Sequence, residues 1–116
     1  DNTIIDFTKY ITFLSGGTSK EWMVAKDEAG HLGCGETGTD GLGWYSATAN
    51  EKADMGLYDD IVTFDSEKNY TYNPGEGGTV FVNTGCSAFS EFNPNDGKDF
   101  MATVSEQKAT YDFDVG

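Results

Sequence analysis

Arginine is absent, and histidine and cysteine nearly so: all seven basic residues are Lys, beside one His and two Cys, against twenty Asp and Glu. The net charge of −13 repels phosphate backbones and anionic bilayers, so nucleic-acid and lipid-surface partners are not expected. With only His31 to serve as a base, Ser-His-Asp or Cys-His nucleophilic catalysis has little to build on. Cys34 and Cys86 form no CxxC, and no zinc site is expected. They either pair in an oxidising compartment or act as small buried hydrophobes. No run approaches the roughly 20 apolar residues that span a bilayer, so no membrane insertion is expected. A secretory pattern of basic flank, apolar core and small-residue cleavage site is also missing, which reads as a cytoplasmic or an already processed chain.

What is present is aromatic and glycine-rich. Residues 1–116 read as a single domain, and an aromatic content of 14% can bury enough area to order it despite modest overall hydrophobicity. The most unusual stretch is 29–45, AGHLGCGETGTDGLGWY, whose glycines at 30, 33, 35, 38, 41 and 43 can sustain neither a helix nor a regular central strand. It is expected to be a long, shaped loop that ends in Trp44 and Tyr45.

Around that loop the chain reads as short strands. Residues 3–14 (TIIDFTKYITFL) alternate imperfectly, and their β-branched content favours extended structure over a helix. Residues 20–26 (KEWMVAK) read as a strand with Trp22 in the core, and 44–49 as a short strand. The clearest pair is 61–65 (IVTFD) and 69–72 (NYTY), joined by SEK as a hairpin. A strand is expected at 79–83 and irregular structure at 84–99. A second hairpin is expected from 100–104 and 109–115, which bracket SEQK. Seven or so strands with regularly spaced turns predict an all-β antiparallel sandwich, jelly-roll-like. The chain stops directly after the last expected strand, so either that strand is an edge guarded by Asp112 and Asp114 or the domain is incomplete at its C-terminus.

The residues offer limited chemistry. His31, in Gly-His-Leu-Gly, is either a functional imidazole or, as its glycine setting favours, a brace on loop carbonyls. Asp59 and Asp60 enter a strand on opposite faces and cannot converge on one glycosidic bond, so they do not make the paired carboxylates of a glycosidase. Calcium takes about six to eight oxygens. The segments 36–41 (ETGTDG) and 94–99 (PNDGKD) lack the spacing for such a loop, and solvated acids are the default. The glycines precede no helix, which excludes a phosphate cradle. Sugar binding remains: flat CH faces stack on aromatic platforms while amides and carboxylates bond hydroxyls. Trp44 or Tyr45 supplies one platform, and Tyr58 with Asp59 and Asp60 a second.

The ordered set 17–24 (GTSKEWMV), 30–35 (GHLGCG), 43–46 (GWYS), 56–64 (GLYDDIVTF), 70–72 (YTY) and 78–84 (GTVFVNT) resembles glycan-binding β-sandwich domains. These belong to surface glycan-binding lipoproteins of bacterial polysaccharide-utilisation systems, and the similarity runs over 13–116. The resemblance implies a non-catalytic carbohydrate-binding module, extracellular at the cell surface, for a polysaccharide such as a β-glucan. No cofactor or metal is implied. Its matching motif positions are His31, Trp44, Tyr58, Asp59 and Asp60, and the ligand-binding residues expected are Trp44, Tyr45, Tyr58, His31 and Asp60. Small apolar residues are usual in the family where Cys34 and Cys86 stand, which implies a disulfide particular to this chain. Members continue past a segment like 111–114, so a further segment, chain or domain is expected to complete the sheet. The alternative is a jelly-roll glycoside hydrolase or lyase domain with Glu36, Asp40 or Asp60 as its acid.

Overall fold

The computed structural model describes residues 5–114. The expectations for residues 3, 4 and 115 lie outside that range. The first element is a helix, α1 (Thr8–Ser15), where extended structure was expected. Helical spacing overrode β-branched composition: Phe7, Ile11 and Leu14 share one half-buried stripe while Thr8, Lys9 and Thr12 face solvent. Local hydrogen bonds frame the helix. Asp6 Oδ1 accepts the Thr8 N–H at 2.9 Å, and Gly16, at φ +63°, closes the last turn with its N–H on Thr12 O.

Eight short strands follow, and every pairing is antiparallel. A four-stranded sheet runs in the order β1 (Ser19–Trp22), β4 (Ile61–Asp65), β5 (Asn69–Asn73), β8 (Gln107–Thr110). Two smaller sheets pair β2 (Gly33–Cys34) with β3 (Tyr45–Ser46) and β6 (Thr79–Val82) with β7 (Phe100–Thr103). The chain is thus β-rich and built of antiparallel sheets, as the sequence indicates.

The 61–65/69–73 hairpin forms as expected, and its turn chemistry explains why. Lys68 takes φ +67°, the left-handed residue that a three-residue loop needs. Asp65 Oδ1 accepts the N–H groups of Glu67 and Asn69 at 2.9 and 2.8 Å. The second expected hairpin does not form. Residues 104–106 carry no left-handed residue, and β7 and β8 go to different sheets: β7 pairs with β6, and β8 with β5. β8 also ends at Thr110, short of the expected 115.

Apolar side chains gather in local clusters. Val82, Phe100 and Ala102 form one centre, with Val80, Cys86 and Phe89 packed on it beside the 3₁₀ segment Ser87–Phe92. On the large sheet, Val62, Phe64, Tyr70 and Tyr72 share one face, as the pairing Val62↔Tyr72 and Phe64↔Tyr70 requires. There Phe64 meets Tyr111 edge-on at 5.1 Å, and Tyr111 leads through Phe113 to Phe7 of the α1 approach, stacked at 5.2 Å. Trp22 is not core: it is 41% exposed on edge strand β1. Its indole N–H donates to Leu14 O at 2.9 Å, and Lys20 Nζ lies 4.3 Å from its ring centroid. Cys34 and Cys86 are both free thiols, the first exposed on β2, the second half-buried in the Val82 cluster, so the implied disulfide is not formed.

Candidate functional site

Glycine builds the 29–45 region by close approach. A Cβ on Gly33 would lie 2.4 Å from Tyr45 O, and one on Gly35 would lie 2.6 Å from the carbonyl carbon of Gly41. Only hydrogen fits at either position, and the two limbs of the β2–β3 hairpin close on each other there. Backbone bonds Gly30 N–H to Ala47 O (2.7 Å), Ala47 N–H to Leu32 O (2.8 Å) and Trp44 N–H to Cys34 O (3.0 Å) extend the pairing beyond the strands. At the tip, Asp40 Oδ1 accepts the Leu42 N–H at 3.0 Å, and Glu36 O accepts from Thr39 Oγ1 at 2.6 Å.

Alternation across β3 then sends the two candidate platforms apart. Trp44 projects outward and is 74% exposed. Tyr45 turns inward, half-buried, and its hydroxyl donates to Glu51 Oε2. Glu51 Oε1 in turn accepts from the N–H and hydroxyl of Thr48 at 3.1 and 3.2 Å, so one carboxylate closes the 48–51 turn. These bonds, Tyr45 first, hold the Glu51 carboxyl below its ordinary value, while the bond to Glu51 raises the Tyr45 phenol. Lys52 Nζ lies 5.3 Å from the Tyr45 ring centroid and 5.8 Å from that of Phe81.

His31 and Tyr58 meet. Nδ1 of His31 is 2.7 Å from Glu28 O, and because a carbonyl only accepts, Nδ1 carries the proton. Nε2 then accepts from the Tyr58 hydroxyl at 2.7 Å, and that oxygen accepts the Lys52 N–H at 2.7 Å. His31 therefore braces the loop, as its setting suggested, and joins it to the 50–60 segment.

Asp59 and Asp60 point to different tasks. Asp59 Oδ2 accepts the Gly77 N–H at 3.1 Å and presses against Gly75, where a Cβ would lie 2.6 Å from the carboxylate. Asp60 is 7% exposed; its Oδ2 accepts from the Tyr72 hydroxyl at 2.7 Å, and its Oδ1 has no donor among the described residues. Burial raises the Asp60 carboxyl above its ordinary value, against the lowering effect of the Tyr72 bond and with the Asp59 charge adding to the rise. Burial also drives the Tyr72 phenol far up, helped by the bond to Asp60. A carboxyl so enclosed does not reach a polysaccharide.

The residues anticipated from sequence thus separate. His31, Tyr58 and Tyr45 fall on one connected network, Trp44 just before β3 faces away from it, and Asp60 is buried just before β4 against Tyr72. The sequence reading missed Glu51, Lys52, Met23 and Lys26. Thr48-x-x-Glu51 carries a capping-box spacing that would have found Glu51. Two adjoining clefts, of ≈ 300 and ≈ 480 Å³, lie beside this network and share Met23, Lys26 and Tyr58. Neither is lined by Trp44. Among the described residues no three His, Cys, Asp or Glu side chains are grouped to hold a metal ion. No helix there is long and apolar enough to cross a membrane. No protein-family model matches the chain, and no curated protein matches it significantly.

Proposed function

We propose that this chain is a non-catalytic carbohydrate-binding module that holds a β-glucan-like polysaccharide at the bacterial cell surface, with its antiparallel sheets forming a β-sandwich. The observation that carries this reading is Trp44. Its indole is largely in solvent although it follows a loop closed by Gly33 and Gly35, so an expensive backbone arrangement presents an apolar plane to water. A sugar's CH face is the complement of such a plane. The outer edges of β1 and β8 have no strand partner among the described residues, which suits a further segment, chain or domain completing the sheet.

Affinity electrophoresis through gels containing a panel of polysaccharides tests the reading. Wild type should be retarded by at least one glucan, and Trp44→Ala should run freely while keeping its circular dichroism spectrum. Retardation unchanged in Trp44→Ala removes Trp44 from the site. Release of reducing ends would replace the module with a hydrolase, and unsaturated products with a lyase. A blank glycan array would point to a structural or adhesion domain.

A further inference from the structure

We propose that the trough between the 23–28 segment and the 50–59 segment is a saccharide subsite distinct from Trp44, shaped for a neutral sugar ring. The proposal rests on the glycan-binding reading for the class of ligand, and on the trough's own geometry for its place.

The two clefts adjoin at Met23, Lys26 and Tyr58, and each is of the ~300–1,000 Å³ scale that small-molecule sites take. Met23, 60% exposed, lines both clefts, and its thioether and methyl can lie against ring CH groups. The trough's polar groups are of both kinds. The Lys26 ammonium forms no ion pair among the described residues and donates. Asp59 spends Oδ2 on Gly77, and its Oδ1 has no protein donor among the described residues, so it accepts. A hydroxyl, donor and acceptor at once, satisfies both.

The walls are held before any ligand arrives. Asn50, in the left-handed region at φ +60°, donates its N–H to Lys26 O at 2.8 Å and its Nδ2–H to Asp27 Oδ1 at 3.0 Å, tying one wall to the other. Lys26 N–H donates to Val24 O at 2.8 Å in a tight turn beyond the end of β1. Tyr58 is fixed through its hydroxyl by Lys52 and His31. The backbone of the walls is thus set before binding, and the ligand orders the Met23 and Lys26 side chains. The surrounding charge of −13 opposes a uronate or sulfated sugar, and this selects neutral rings.

The test is an NMR titration of the full chain with methyl and amide labels, using neutral β-glucan oligosaccharides and, separately, oligogalacturonates. Neutral oligosaccharides should shift the Met23 methyl and the Asn50 and Lys26 amides, and Lys26→Met should weaken binding about tenfold, the loss of one hydrogen bond from a charged donor. Unchanged spectra of Lys26→Met outside the trough show that it folds. Shifts confined to Trp44, with Lys26→Met binding normally, overturn the subsite and leave the module standing. No shift with any oligosaccharide sinks the glycan reading itself. Tighter binding of oligogalacturonates overturns the preference for neutral rings.

Discussion

The Tyr58 hydroxyl lies 2.7 Å from His31 Nε2 and 2.7 Å from the Lys52 amide nitrogen, so one phenol oxygen joins the glycine-rich hairpin to the 50–60 segment. Its removal is the most direct probe of how the site is held together.

Tyr58→Phe leaves the ring in place and strands two polar groups, the Lys52 N–H and His31 Nε2. A loss of about 1–3 kcal/mol in urea unfolding is expected. His31→Ala should cost less when added to Tyr58→Phe than when made alone, because the shared bond is already gone. Strictly additive losses would show that the junction does not link the two segments.

Gly35→Ala should damage the loop through contact alone, since the added methyl would meet the Gly41 carbonyl carbon at 2.6 Å and that atom is backbone. The limbs must part, at a cost of about 1–3 kcal/mol. Indole fluorescence at Trp44, together with the melting temperature, reports the displacement. A wild-type melting temperature and spectrum in Gly35→Ala would contradict the close approach.

Trp44→Ala, in contrast, should alter stability by no more than about 0.5 kcal/mol, as for other surface positions, because three quarters of the side chain is already in water. Denaturant midpoints check this. A loss of several kcal/mol would mean that Trp44 is structural and would withdraw it as a ligand platform.

Two carboxyls should bend the pH profile in opposite directions. Asp60 has a raised folded-state pKa, chiefly from burial, so the native state holds its proton more tightly than the unfolded chain. Its contribution is favourable below the ordinary value of 3.8 and is lost as pH rises through the raised value. Asp65 is lowered, first by the Asn69 backbone bond, so its contribution is present above 3.8 and is lost as pH falls through the folded value. Relative to wild type, Asp60→Asn should gain stability as pH rises from about 3 to about 7, and the deficit of Asp65→Asn should shrink as pH falls over the same range. Unfolding curves at several pH values decide it; parallel profiles for both variants would refute the assignment.

Much of this molecule is legible without coordinates, and the divide follows the range of the interactions involved. Local patterns settle local structure: IVTFD and NYTY with SEK between them make their hairpin because Asp65 and Lys68 hold the turn within five residues of sequence. The glycines of 29–45, expected to make a loop throughout, instead let a short β2–β3 hairpin close, while alternation alone sends Trp44 and Tyr45 to opposite sides. SEQK looked like the same device, but partner choice for β7 and β8 depends on β6 and β5, tens of residues away, and no nearby residue specifies it. The same holds for Trp22, whose apolar neighbours suggested burial while its edge-strand position exposes it, and for α1, where the aromatic cluster with Phe113 rewards a helical stripe over β-branched propensity. Sequence by itself determined charge, turn chemistry and which residues alternate. Only the tertiary structure decided which strands meet, which acid is buried, and that His31 and Tyr58, twenty-seven residues apart, share a hydrogen bond, because those outcomes come from packing between distant segments.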